Sequence, residues 1–386
     1  MNALQSFLNR FFKPVKPLPA GMYPYQTPPE APQQYRLHLR LEENGSGILI
    51  VNASIVLHLN HTAAEYAYYL VKDMPEQVIA SQMARRYNVP QDKALQDYQD
   101  FKERLDILVQ TPDLDPVGFL GFDRKEPLSA AVLAPYRLDC ALTYQVSDGE
   151  SGSVAPLERV RRELVEHEWQ QIINKAWAAG IPHVVFTGGE PTLRPDLAAL
   201  LTHAEGLGMV TGLLTDGLRL TNPDYLHELL DCGLDHIMLV FQPEEEQSWE
   251  ALRDLMPEDI HTTVHLTITE KNQEDVNTIL QRMASMGVQS LSLSAANIQL
   301  KPALDQAAIT AADLQISLVW NLPVPYSSLN PVALDQEEAG DIPDADGLSA
   351  LYVEPDGDVL RGQGQPEVLG NLLRDEWSTI WQHARA

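Results

Sequence analysis

The chain has 386 residues, 44% of them hydrophobic and 21% charged, which fits a globular protein with one large core and a satellite domain. Its formal net charge of −27 argues against nucleic acid as a partner, because neutralising phosphates takes a basic surface. Two cysteines, Cys140 and Cys232, are too few for a disulfide framework or a cysteine-rich zinc site and suit a reducing cytoplasm. No apolar run reaches the ~18 residues of a membrane span.

Leu4, Phe7, Leu8, Phe11 and Phe12 recur at helical spacing beside Arg10, Lys13 and Lys16. This predicts a short amphipathic helix that docks on a partner, a membrane surface or the protein's own core. No cleavage-site pattern follows it, which argues against a signal peptide. Prolines from 14 to 32 predict an extended linker, so residues 1–34 are read as amphipathic segment plus linker.

Residues 35–110 read as a small α/β, winged-helix-like domain. Strands are predicted at 36–41 and 48–52 around an Asn44-Gly45 turn, and 57–62 reads as a turn. Helices are predicted at 62–72, 75–87 and 91–108, with Thr62 as N-cap and Glu65 three residues on. The strand pair, the run Gly47-Ile48-Leu49-Ile50-Val51-Asn52-Ala53 and the helices ending in Phe101 and Leu105 resemble pyrroloquinoline-quinone biosynthesis protein D. That resemblance implies a domain that takes a leader peptide as an added strand beside its sheet.

Residues 111–135 read as a second linker. From 136 to 300 strands and helices alternate. Strands are predicted at 137–144, 183–187, 210–214, 236–241, 262–268 and 290–294, and helices at 157–179, 195–207, 224–232, 247–256 and 274–286. Near-continuous apolar strands with helical crossovers imply a parallel sheet. Six such units make a partial (β/α)6 TIM-like barrel, with a doubly wound sheet as the alternative. Residues 301–386 form a C-terminal extension whose Asp356-Gly357 pair signals a hairpin.

Ligands of parallel α/β folds lie at the strands' carboxyl ends. Here those ends hold Tyr144, then Gly188-Gly189-Glu190-Pro191, then Thr215-Asp216-Gly217. Two glycines permit a sharp turn and close approach, and Glu190 offers a carboxylate to a ligand ammonium. An ordinary strand-to-helix turn is the plain alternative. His261 and His265 are four apart but fall in a predicted strand, which speaks against a helical zinc pair.

The Gly188–Pro191 turn in this setting resembles radical SAM enzymes of the peptide-modifying, SPASM-like branch. The resemblance implies that Gly188, Gly189, Glu190 and Pro191 bind the methionyl amino group of S-adenosylmethionine. Thr215 and Asp216 stand where that family often has Thr-Asn, and Tyr144 closes the first strand. The family's Cys-x3-Cys-x2-Cys loop has no counterpart: Ala141 to Gly149 contains no cysteine. Iron–sulfur clusters need thiolates at set positions, so no [4Fe-4S] cluster is expected, and Cys140 and Cys232 read as core thiols. The extension likewise has Arg361-Gly362 where the family has Pro-Cys, and Ser327 or Ser328 in place of another cysteine.

The expected function is a cytoplasmic pseudoenzyme of peptide maturation. It would bind a leader-type peptide or an active radical SAM enzyme, with S-adenosylmethionine as a weak ligand. The alternatives are a SAM-dependent peptide-modifying enzyme with non-radical chemistry or unusual iron ligands, and an unrelated α/β small-molecule binder.

Overall fold

Alternation of apolar strands and amphipathic helices builds the larger of two compact units, residues 134–386; residues 1–133 form the other. The computed structural model describes residues 15–28, 30–31, 33, 35–52, 55–110, 134–147, 159–319 and 349–386. The expected amphipathic helix at the N-terminus, most of the 111–135 linker, the glycine-rich loop after Ser147 and the segment 320–331 lie outside those residues.

In the first unit a four-stranded antiparallel sheet runs in the order β1 (Gly21–Gln26), β2 (Arg36–Leu41), β3 (Gly47–Val51), β4 (Ile55–Leu59). Three helices follow: α1 (His61–Val71), α2 (Glu76–Tyr87) and α3 (Gln91–Gln110). Leu37, Leu39, Leu49 and Val51 meet Ile79, Met83, Tyr98 and Leu105 in one core. Each such side chain contributes about 1.5–3 kcal/mol through burial.

Three expectations change here. Residues 57–62, read as a turn, are split between β4 and α1. Residues 21–26 are not linker but an edge strand paired with β2, in which Pro24 is tolerated. The N-cap of α1 is Asn60, whose Oδ1 accepts from Ala63 N at 2.9 Å, and not Thr62. Glu65 closes no capping box. It is buried and accepts from Arg86 at 2.6 and 2.7 Å and from Tyr87 Oη at 2.9 Å.

In the second unit the strands are β5 (Arg137–Thr143), β6 (His183–Gly188), β7 (Val210–Thr215), β8 (His236–Phe241), β9 (His261–Ile268), β10 (Ser290–Ala295) and β11 (Ser317–Leu318). All are parallel and adjacent in chain order. That monotonic order is barrel-type winding and rules out the doubly wound alternative, whose strand order reverses. The crossovers hold α4 (Glu166–Ala179), α5 (Leu197–Leu207), α6 (Pro223–Asp231), α7 (Glu246–Leu255), α8 (Val276–Ser285) and α9 (Lys301–Asp313).

The alternation therefore runs one unit past residue 300, where six had been expected. α4 begins at Glu166, later than expected: 161–165 form no helix, and Val165 before it is extended at φ −90° and ψ 167°. Gly180 and Gly208 end α4 and α5 at φ 93° and 87°, which a Cβ would strain.

The extension completes the sheet. β12 (Ala350–Val353) pairs in parallel with the free side of β5, and β13 (Asp358–Leu360) and β14 (Gly370–Asn371) add antiparallel strands before α10 (Trp377–Ala384). The strand ends of β5, β6, β7 and β12 thus lie side by side at one end of the sheet.

Candidate functional site

The centre of that end is Glu190, 2% exposed. Its Oε1 accepts from Thr192 N at 2.9 Å, Thr192 Oγ1 at 2.5 Å and Thr215 Oγ1 at 2.8 Å. Its Oε2 accepts from Asp216 N at 2.7 Å. Burial, and then the charge of Asp216, push its carboxyl up to about 8. A buried carboxyl surrounded by donors, with no counter-cation among the described residues, suits a cationic ligand that would favour its ionised form, since Oε2 keeps acceptor capacity.

Both glycines pack against backbone at the exit of β5. Gly188 has φ 119°, and a Cβ there would sit 2.2 Å from Thr143 O. A Cβ on Gly189 would sit 2.1 Å from Gln145 O. They let the turn press against the exit of β5, where Gly189 N donates to Thr143 O and Glu190 N to Gln145 O, both at 2.7 Å. Pro191 opens a short 3-10 turn, Pro191–Leu193, that carries Thr192 under Glu190.

Thr215 and Asp216 are brought to Glu190 as described. Asp216 Oδ1 is also held by Leu218 N at 3.0 Å. Tyr144 does not join this group. Its hydroxyl donates to Glu354 Oε1 at 3.0 Å, an oxygen that also accepts from Arg159 Nη2 at 2.5 Å. Glu354 is fully buried at the end of β12, and its Oε2 has no partner among the described residues. Burial pushes this carboxyl up against the pull of Arg159.

Sequence reasoning missed Thr192, Glu163, Arg159 and Glu354. Glu163 Oε1 accepts from Thr143 Oγ1 at 2.5 Å, and Arg194 forks onto Asp196 at 2.9 and 2.5 Å while reaching Leu142 O at 3.1 Å. Only Thr192, directly after the motif, carried a local signal.

Two histidine groups lie elsewhere. His265, in a strand as expected, contacts Ser292 Oγ at 3.0 Å and both Thr267 Oγ1 and Ser294 Oγ at 3.2 Å along β9 and β10. Burial lowers it to about 4. At the strands' amino ends His183 and His236 meet Nε2 to Nε2 at 2.7 Å, and the missing side chain of Gly212 leaves room for the His236 ring.

Residues 140–283 match the Radical SAM superfamily. A curated relative, the PqqA peptide cyclase of Streptomyces rochei, is 29% identical over 60% of this chain and 71% of its own length. The PqqA peptide cyclase of Bradyrhizobium diazoefficiens is 41% identical, over 23% of each chain. Among solved structures, SuiB of Streptococcus suis bound to precursor peptide SuiA aligns over 89% of this chain and 86% of its own, with TM-score 0.54 and 14% identity. SuiB bound to S-adenosylmethionine aligns over 93% and 88%, with TM-score 0.53 and 14% identity. At that identity the likeness is one of fold.

The match to the Radical SAM superfamily makes a cluster-ligand test necessary, and the cysteines do not fit. Cys140 is wholly buried mid-strand beside Phe186 and Val353, and burial pushes its thiol well above the ordinary range. Cys232 caps the carboxyl end of α6, just before β8 begins, so it lies at the end of the sheet opposite Glu190. Neither could join a thiolate set at the barrel mouth.

Proposed function

We propose that this chain is a peptide-maturation protein that keeps the radical SAM scaffold and its S-adenosylmethionine-binding turn, but binds peptide rather than performing radical chemistry. The observation that carries this reading is the placement of the thiols. A [4Fe-4S] cluster needs several thiolates at one place. The whole chain has two, one locked inside β5 and one at the far end of the sheet. When bound, S-adenosylmethionine would supply an ammonium group for Glu190, with Thr192, Thr215 and the Asp216 amide holding the carboxylate in place.

Relatives with peptide substrates in their names, and a fold neighbour solved with its precursor peptide, support peptide as the ligand class. The first unit, like protein D of pyrroloquinoline-quinone biosynthesis in its strand and helix pattern, would take a leader peptide at a sheet edge. Its edge strands are β1 and β4. Pro24 costs β1 a donor, which makes β4 the better template. The relatives are enzymes, and the intact Glu190 network favours a second reading: a SAM-dependent peptide-modifying enzyme without radical chemistry.

Anaerobic reconstitution with ferrous iron and sulfide tests the first reading. The expected result is sub-stoichiometric iron with no cluster absorbance, and a full four-iron complement would overturn it. Calorimetry with S-adenosylmethionine on the same protein and on Glu190→Ala tests the ligand. Weak binding abolished by the substitution is expected, and no binding by the unmodified protein would retire the pocket.

A further inference from the structure

Three of the four residues from 159 to 162 are arginine, and a fourth, Arg374, follows β14. All four line one cleft of about 540 Å³ against the hairpin of β12 and β13, with Asp356, Asp358 and Asn371. In a chain of net charge −27, a lining with four guanidinium groups and two carboxylates stands out as rich in cations.

The four arginines divide into two pairs. Arg159 is tied into the wall: it donates to Glu354 Oε1 at 2.5 Å and to Gln365 O at 3.2 Å. Arg162 forks onto Glu168 at 2.7 Å through both terminal nitrogens. The side chain of Arg374 has only Asp358, at 3.3 Å, among the described residues, and is 73% exposed. Arg161 is exposed and makes no hydrogen bond or ion pair among the described residues. The first two shape the cleft, and the last two hold donors in reserve.

The two carboxylates of the lining stand beside four guanidinium groups. Asp358 Oδ1 accepts from Asn371 Nδ2 at 2.8 Å as well as from Arg374. Asp356 accepts from Asp358 N at 3.3 Å. Guanidinium forks match planar carboxylates in pairs of parallel hydrogen bonds. The adjoining end of α4 already carries the carboxylates of Glu166 and Glu168, the latter accepting from Val165 N at 3.1 Å, so an anion is drawn to the arginines rather than to the helix end. The volume falls within the ~300–1,000 Å³ of ligand sites and exceeds what one small anion fills.

The cleft adjoins the barrel mouth. Glu354 joins Arg159 to the Tyr144 hydroxyl, and the residue after Tyr144 receives the amide of Glu190. A chain held in the cleft would have its neighbouring residues at the strand ends.

We propose that this cleft is a carboxylate-binding subsite for an acidic stretch of a peptide, with Arg161 and Arg374 as its reading groups. The proposal rests on the peptide reading above and adds what kind of peptide is held and where. It is tested on the full chain by fluorescence anisotropy with a labelled glutamate-rich peptide, and with the same peptide carrying glutamine for glutamate. The glutamate peptide should bind about tenfold more tightly or better, and added salt should weaken it.

Arg161→Glu/Arg374→Glu should remove that preference. Arg253→Glu/Lys271→Glu, an equal charge change elsewhere, should leave it within about twofold. Unchanged discrimination in the cleft variant, or equal affinity for both peptides, overturns the subsite while leaving peptide binding intact. Displacement of the glutamate peptide by equimolar inorganic phosphate also overturns it, in favour of a small-anion site. Binding of neither peptide overturns the subsite and the peptide reading together.

Discussion

Replacing Gly189 with alanine tests the structural logic of the Gly188–Pro191 turn. The new Cβ would lie 2.1 Å from Gln145 O, 2.8 Å from Gln145 C and 2.9 Å from Tyr144 C. All three are backbone atoms, so no side chain can swing aside. The turn must lift from the exit of β5, which breaks the hydrogen bonds of Gly189 N to Thr143 O and Glu190 N to Gln145 O. Two buried hydrogen bonds at about 1 kcal/mol each, with about 1–3 kcal/mol of overpacking, give a loss of roughly 3–5 kcal/mol.

Urea unfolding followed by tryptophan fluorescence reads this directly. All six tryptophans fall between positions 169 and 381, within the second unit. A loss below about 1 kcal/mol would mean that the turn does not pack on β5 as described, and the argument for why both glycines are needed would fail.

Two predictions concern pH. Glu190 is raised from its ordinary 4.5 to about 8, so the folded state binds more protons than the unfolded state between those values. Its contribution therefore falls as pH rises from about 4.5 to 8, and Glu190→Gln should flatten that decline in urea titrations across the range. His236 behaves oppositely: burial first, then His261 and Arg137, depress it from 6.5 to about 4. Stability should therefore drop as pH falls from 6.5 towards 4. In His236→Gln, which retains a partner for His183, this acid slope should shrink while the share due to His265 persists; an unchanged slope would contradict the buried pair.

The barrel was legible because its strands are buried on both faces and so read as unbroken apolar runs; β8 runs from His236 to Phe241 as expected. What escaped was information held between distant segments. β1 was hidden by Pro24 and the prolines on either side of it, since pairing with β2 decides its state and composition does not. The start of α1 went to Asn60 because its side chain reaches Ala63 N, an outcome the neighbouring Thr62 made hard to foresee.

At the site, the motif announced Glu190 and its threonine neighbour on β7. The backbone that the glycines pack against, at the exit of β5, belongs to a segment some 45 residues away in sequence. Arg159 and Glu354, 195 residues apart, carry no local signature and meet only because β12 lies against β5.

That pairing of β12 with β5 also bears on biosynthesis. The two strands are about 210 residues apart, so during translation β5 through β10 emerge well before the strand that covers the open flank of β5. Until then, a hydrophobic ribbon with unsatisfied amides is available to any other nascent chain, and this late closure makes the last few dozen residues a guard against misassembly.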